Sequence, residues 1–295
     1  MKLMADISIG TARHIDLIKV RLGREIRNLE KEGLKVRLKE SSAGRFNFVS
    51  CQVMPGGGKR GDIQAIIRHH IARSLSDLIL GQWQKLLLKD MIRENYYYFN
   101  EEERQNIFKY ALNHLGYGRG GQKAVYQQLF KKRIMEKILD FLRHNNQIIV
   151  EGFIRFRLKD YVEELEQAVE RAVDDFLMER EYQEFIHLLK YFVEIQESRV
   201  ELVHVLKLPG GAFRLLDGRK QALRVDYLEN LFMDLTEGEI NYEDMLISTL
   251  ITLAPKQIVI HNPACEQKNT IMETINLVFF GRVRECTGCS LCREK

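Results

Sequence analysis

The chain closes on a run of thiols that is useful only if the backbone returns on itself. Cys286, Cys289 and Cys292 follow one another at a spacing of three, and Cys51 alone of the five cysteines lies before position 265. Each Cys-x-x-Cys step lets two sulfurs turn toward one metal ion. The remaining thiol of the region, Cys265, lies well upstream of this run, so the intervening chain must double back for the set to meet. Its pattern suits that path. Residues 257–261 form a compact apolar strand, 267–280 carry Ile271, Ile275 and Val278 at helical spacing, and 282–286 read as a second strand. A strand–helix–strand unit pairs its strands in parallel. His261 and Cys286 then leave the sheet at one edge, with Cys265 beside the tail.

Two kinds of metal centre satisfy Cys265, Cys286, Cys289 and Cys292. An iron–sulfur cluster takes four thiolates, and no cysteine follows Cys292, so Cys265 is expected as the fourth. Zinc accepts the same four, or His261 in place of one. Four thiolates around a divalent ion leave a net negative charge, which Arg282, Arg284 and Arg293 stand close enough in sequence to offset. The competing expectation is a reduced terminus without metal. Cys51, inside an apolar strand pattern, reads as a small core residue.

The fold class expected is α+β: a small N-terminal βαββ unit, a helical middle, and a C-terminal small α/β unit with the Cys-rich tail. The corresponding domains are residues 1–55, 56–198 and 199–295. In the first, 5–9 suit a strand, Ile15, Ile18, Leu22, Ile26 and Leu29 keep helical period, and the alternating 34–39 and 46–53 make a hairpin around 41–44. The Gly-rich 54–61 lacks the spacing of a phosphate-binding loop and reads as a linker. Helical periods fill 62–144, with Asn100 and Glu103 as a capping box and the glycines of 116–121 as a break. Residues 146–158 are short and mixed. Residues 160–195 read as one long helix whose buried stripe runs Val162, Leu165, Val169, Val173, Phe176, Tyr182, Phe185, Leu189 and Phe192. A hairpin at 202–216 and helices at 225–235 and 242–253 precede the thiol unit.

Three of these stretches resemble the YtxC family of sporulation proteins: Glu151-Gly-Phe-Ile-Arg-Phe-Arg-Leu-Lys-Asp-Tyr161, Leu250-Ile-Thr-Leu-Ala-Pro-Lys-Gln-Ile-Val-Ile-His-Asn262, and the terminal thiols. The resemblance covers most of the chain and implies a cellular context, sporulation in endospore-forming Firmicutes. It implies no catalytic residue.

The charge is unevenly spread. Residues 1–60 hold 13 Lys/Arg against 6 Asp/Glu, whereas 160–201 hold 13 acids against 4 bases. Nucleic acid is one partner for such a basic block. No aromatic stacking motif accompanies it, so the blocks read instead as solvated, mutually complementary faces and nucleic acid is not expected. No run of about 18 apolar residues suggests a membrane span, and the early arginines exclude a secretory signal, so a cytoplasmic protein is expected. His69 and His70 point apart on a helix and cannot share a metal. Glu184-x-x-His187 and Glu201-x-x-His204 match the two-residue spacing of di-iron carboxylate sites but lack the paired bundle helices those need. No local motif orders a nucleophile. The expectation is a non-enzymatic interaction or regulatory protein with protein partners. The alternatives are an iron–sulfur redox or sulfur-handling enzyme and a nucleic-acid-binding protein.

Overall fold

The computed structural model describes residues 4–31, 33–53, 60–117, 123–208, 212–223, 242–261 and 270–293. They form a mainly helical α+β protein with two four-stranded sheets, as the sequence pattern indicates. The chain divides into two compact units, Met1–Leu177 and Met178–Lys295. The linker reading of 54–61 and the helix expected at 225–235 fall largely or wholly outside the described residues.

The first unit opens as the period changes dictate. Strand β1 (Met4–Thr11) leads into α1 (Ile15–Lys31), then β2 (Val36–Ala43) and β3 (Phe46–Val53). Gly44, at φ +59, makes the turn between them, a conformation open to a residue without Cβ. Helix α2 (Arg60–Leu78) runs through a π-helical turn at Ile79–Trp83 into α3 (Gln84–Asn95). Helix α4 (Glu101–Leu112) starts at the expected capping box: the Asn100 side chain accepts from the Glu103 amide, and Glu103 accepts from the Asn100 amide. Helix α5 (Lys123–His144) follows.

The mixed stretch 146–158 resolves into β4 (Gln147–Ile149) and α6 (Val150–Arg157). Strand β4 pairs in parallel with β1, Ile148 beside Ile9, so the sheet order is β2-β3-β1-β4. One core holds this sheet and the helices together, from Ile7 and Ile9 through Ile67, Leu75, Trp83, Ile107 and Ile138 to Leu165 and Phe176. Cys51 is buried in it. Three bases of the N-terminal block pair with acids of the same unit. Asp77 takes both Arg21 and Lys131, Glu40 takes Lys19 at 3.0 Å, and Arg13 meets Asp90 at 3.7 Å.

Helix α7 (Lys159–Ile195) is continuous, as its length of amphipathic pattern requires. Its buried stripe differs from the expected one in the second half. Leu165, Val169, Val173 and Phe176 are buried, but Phe185 and Phe192 are exposed, and Ile186 and Val193 are the positions that enter a core. The first half of the helix packs in the core of the first unit, and Ile186 and Val193 pack in that of the second.

In the second unit, β5 (Leu202–Lys207) and β6 (Phe213–Asp217) form the expected hairpin. Helix α8 (Tyr242–Leu253), β7 (Gln257–His261), α9 (Thr270–Val278), β8 (Val283–Glu285) and the short α10 (Ser290–Arg293) follow. The order is β6-β5-β7-β8, with β5, β7 and β8 mutually parallel. Val203, Val205, Ile258 and Ile260 alternate onto one face, where they pack with Leu246, Leu250, Ile271, Ile275 and Phe279. That leaves His204, Val259 and His261 on the other face.

Candidate metal centre

The parallel pairing of β5, β7 and β8 gathers the site. Ile260 aligns with Glu285, so the next residues, His261 and Cys286, lie side by side at the strand ends and on the same face. The Cys286 amide donates to the Ile260 carbonyl at 2.9 Å, which extends the ladder to the first thiol. Gly288, at φ +123, then turns the chain back. Helix α10 begins immediately, and the Cys292 amide donates to the Cys289 carbonyl at 3.2 Å. This single turn sets Cys289 and Cys292 on one side, the geometry that a spacing of three provides.

His261, Cys286, Cys289 and Cys292 each offer one ligand atom, and the four atoms lie within 4.8 Å of one another. His261 Nδ1 is 3.4 Å from the sulfurs of both Cys289 and Cys292. The Cys289 and Cys292 sulfurs are 3.8 Å apart, and those of Cys292 and Cys286 3.7 Å apart. The three thiols are half-buried and form no disulfide, and His261 is buried. Of the four cysteines expected here, three converge. Cys265 lies outside the described residues, and among those that are described the fourth ligand atom is His261 Nδ1.

The Arg282 guanidinium donates to the Pro255 carbonyl at 3.3 Å. Arg284 aligns with Val259, two residues short of His261, and is exposed. Lys220 is the cation whose charge reaches the imidazoles. It sits at φ +62 in the turn after β6, where its amide donates to the Asp217 carbonyl at 2.9 Å. Burial pushes the His261 imidazole below its ordinary range, and the His204 ring and Lys220 add to that. Burial likewise lowers His204, with Lys220 in the same direction and Asp217 opposing. Desolvation raises the Cys289 thiol, but hydrogen bonds from the Cys292 backbone, Cys286, the Leu291 backbone and the Cys292 thiol outweigh it and favour the thiolate.

His204 is the residue that sequence reasoning missed. Its Nδ1 lies 2.9 Å from His261 Nε2, on the ring edge opposite the thiols. The Glu-x-x-His spacing points to the wrong partner. The usable signal is the alternation in β5 and β7, which puts a histidine on the same face of each strand. The pairs His69–His70 and Glu184–His187 do not enter this cluster. His70 instead faces Glu25 at 3.1 Å.

The described residues contain no helix long and apolar enough to cross a membrane. With two sheets, a long helix that serves two cores and a terminal Cys/His cluster in view, the chain belongs to the YtxC-like family, whose model matches residues 69–284. That range takes in His204 and His261 and stops two residues before Cys286. The chain is 26% identical over 199 residues to the uncharacterised protein YtxC of Bacillus subtilis (strain 168), covering 65% of this chain and 68% of that one. No solved structure matches it.

Proposed function

We propose that the C-terminal unit is a mononuclear zinc module held by Cys286, Cys289, Cys292 and His261, within a cytoplasmic, sporulation-associated interaction or regulatory protein. The observation that carries the metal reading is the spacing of the ligand atoms. Sulfurs sharing a tetrahedral zinc at bonds of about 2.3 Å stand about 3.8 Å apart, and sulfur and nitrogen stand about 3.6 Å apart. The 3.7 and 3.8 Å between thiols and the 3.4 Å from imidazole to thiol fit those edges. An iron–sulfur cluster would hold irons and sulfides between the thiolates and keep them much further apart. The same spacing therefore weighs against the redox enzyme. Three thiolates, a neutral imidazole and Zn²⁺ carry one net negative charge, and Lys220 stands on the imidazole side to offset it.

Zinc here is a structural ion, because a closed set of four protein ligands leaves no position for substrate. It ties the last strand and α10 to β7. The interaction role rests on that structural character, and the sporulation context rests on the family resemblance. The ligand set with Cys265 in place of His261 is the competing arrangement. Metal analysis of the anaerobically purified full chain tests the reading. One zinc per chain is expected, retained in Cys265→Ser and lost in Cys289→Ser. Iron with acid-labile sulfide, or no metal, would overturn it, and loss of zinc in Cys265→Ser would transfer the fourth position to that thiol.

A further inference from the structure

A histidine ligand has to commit its proton before it can bind. Neutral imidazole carries one N–H, and the nitrogen without it is the one that can take a metal. His261 presents Nδ1 to the thiols, so its proton must sit on Nε2. That Nε2 lies 2.9 Å from His204 Nδ1. The two rings are 5.1 Å apart between centroids and tilted by 46°, which leaves an edge-on nitrogen-to-nitrogen approach rather than stacking.

We infer that His204 is the positioning residue of this site: its Nδ1 accepts the His261 Nε2 proton, fixes the tautomer, and aims Nδ1 of His261 at the metal. The inference rests on the proposed metal site and adds the group that orients its only nitrogen ligand. His204 must then keep its own proton on Nε2, with the Nδ1 lone pair open. Two features fix its place. Register places Leu206 beside His261, so His204 is two residues back on the same face, diagonal to its partner. The backbone of β5 is pinned on both sides, by β6 and by β7. Groups that accept the outer N–H of a metal-bound histidine typically contribute about 10- to 100-fold in affinity.

The test uses the full chain, zinc titrated against a competing chelator, and three proteins. His204→Phe fills the space without an acceptor, and its zinc affinity is expected to fall about 10- to 100-fold at unchanged stoichiometry. In His204→Asn the amide oxygen stands near the position of Nδ1, so most of the affinity is expected to return. A residue that only packs would give the opposite order, because Phe is the larger apolar filler. Nitrogen NMR of the zinc-loaded wild-type protein needs no variant. It should show His261 protonated at Nε2 and metallated at Nδ1, with His204 protonated at Nε2. Equal affinity of wild type and His204→Phe, or His261 bound through Nε2, would overturn the inference and leave the metal site standing. Failure of the wild-type chain to bind zinc at all would overturn both.

Discussion

Replacing Gly10 by alanine should destabilise the first unit through one ring. Gly10 lies in β1 opposite Phe48 of β3 and beside Ile149 of β4. A Cβ at position 10 would stand 2.3, 2.6 and 3.0 Å from Phe48 Cε1, Cδ1 and Cζ. Carbon atoms in good contact sit about 3.5–4.0 Å apart, so the ring must move by roughly an ångström or leave. Phe48 is only 7% exposed, so leaving forfeits a buried aromatic. Overpacking of this kind costs about 1–3 kcal/mol. Alanine recovers about 0.4–1 kcal/mol by restricting the unfolded chain. The expected net loss is therefore about 1–2 kcal/mol. Urea unfolding followed by the fluorescence of Trp83 reads it directly, since Trp83 is the sole tryptophan and is buried in the same unit. The decisive comparison is the Phe48→Ala background. With the ring gone, Gly10→Ala should become neutral or stabilising. A loss of the same size in both backgrounds would refute the steric account.

Other outcomes follow from the same packing. Leu165, fully buried in α7, should cost about 2–5 kcal/mol as Leu165→Ala, whereas Phe185→Ala, on the exposed side of the helix, should cost under about 1 kcal/mol; thermal melts distinguish the two. Glu151 Oε1 accepts from Thr11 Oγ1 at 2.5 Å and from the Ala12 and Arg13 amides at 3.0 and 3.3 Å. Glu151→Ala should lose about 1.5–3 kcal/mol and speed amide exchange at residues 12 and 13, because it removes a charged acceptor from these donors. In chelator-treated protein, His204 and His261 both titrate below their unfolded value, so the native state binds fewer protons there. Their stabilising contribution is present above pH about 6.5 and is lost as pH falls through the lowered native values, which a pH series of melts from about 7.5 to about 5 would register.

Much of the first sheet is legible in the sequence because its signals are local. A helical period follows a strand, and an alternating hairpin turns at Gly44. Strand β4 is not legible. The stretch Gln147–Ile149 is too short to show a period, α6 begins at once, and the partner strand β1 lies at the far end of the unit's sequence. Nothing in the local sequence marks a pairing of such range. The glutamate that opens the motif resembling the family has its visible work in that joint, tying the end of β1 to the start of α6. In α7 the apolar stripe reads as one face because period alone does not reveal that a helix changes cores at its middle.

At the candidate site, the thiols are legible from spacing and their convergence from strand–helix–strand topology. His261 is legible as an alternative ligand. His204 is not, because it requires knowing the register of β5 against β7.

The ligand set is the central claim, and X-ray absorption at the zinc edge of the full chain measures it without a variant. The expected result is three sulfurs at about 2.3 Å and one nitrogen at about 2.0 Å, with the outer-shell scattering of an imidazole. Four sulfurs and no imidazole, or a shell of light atoms with fewer than three sulfurs, would contradict it.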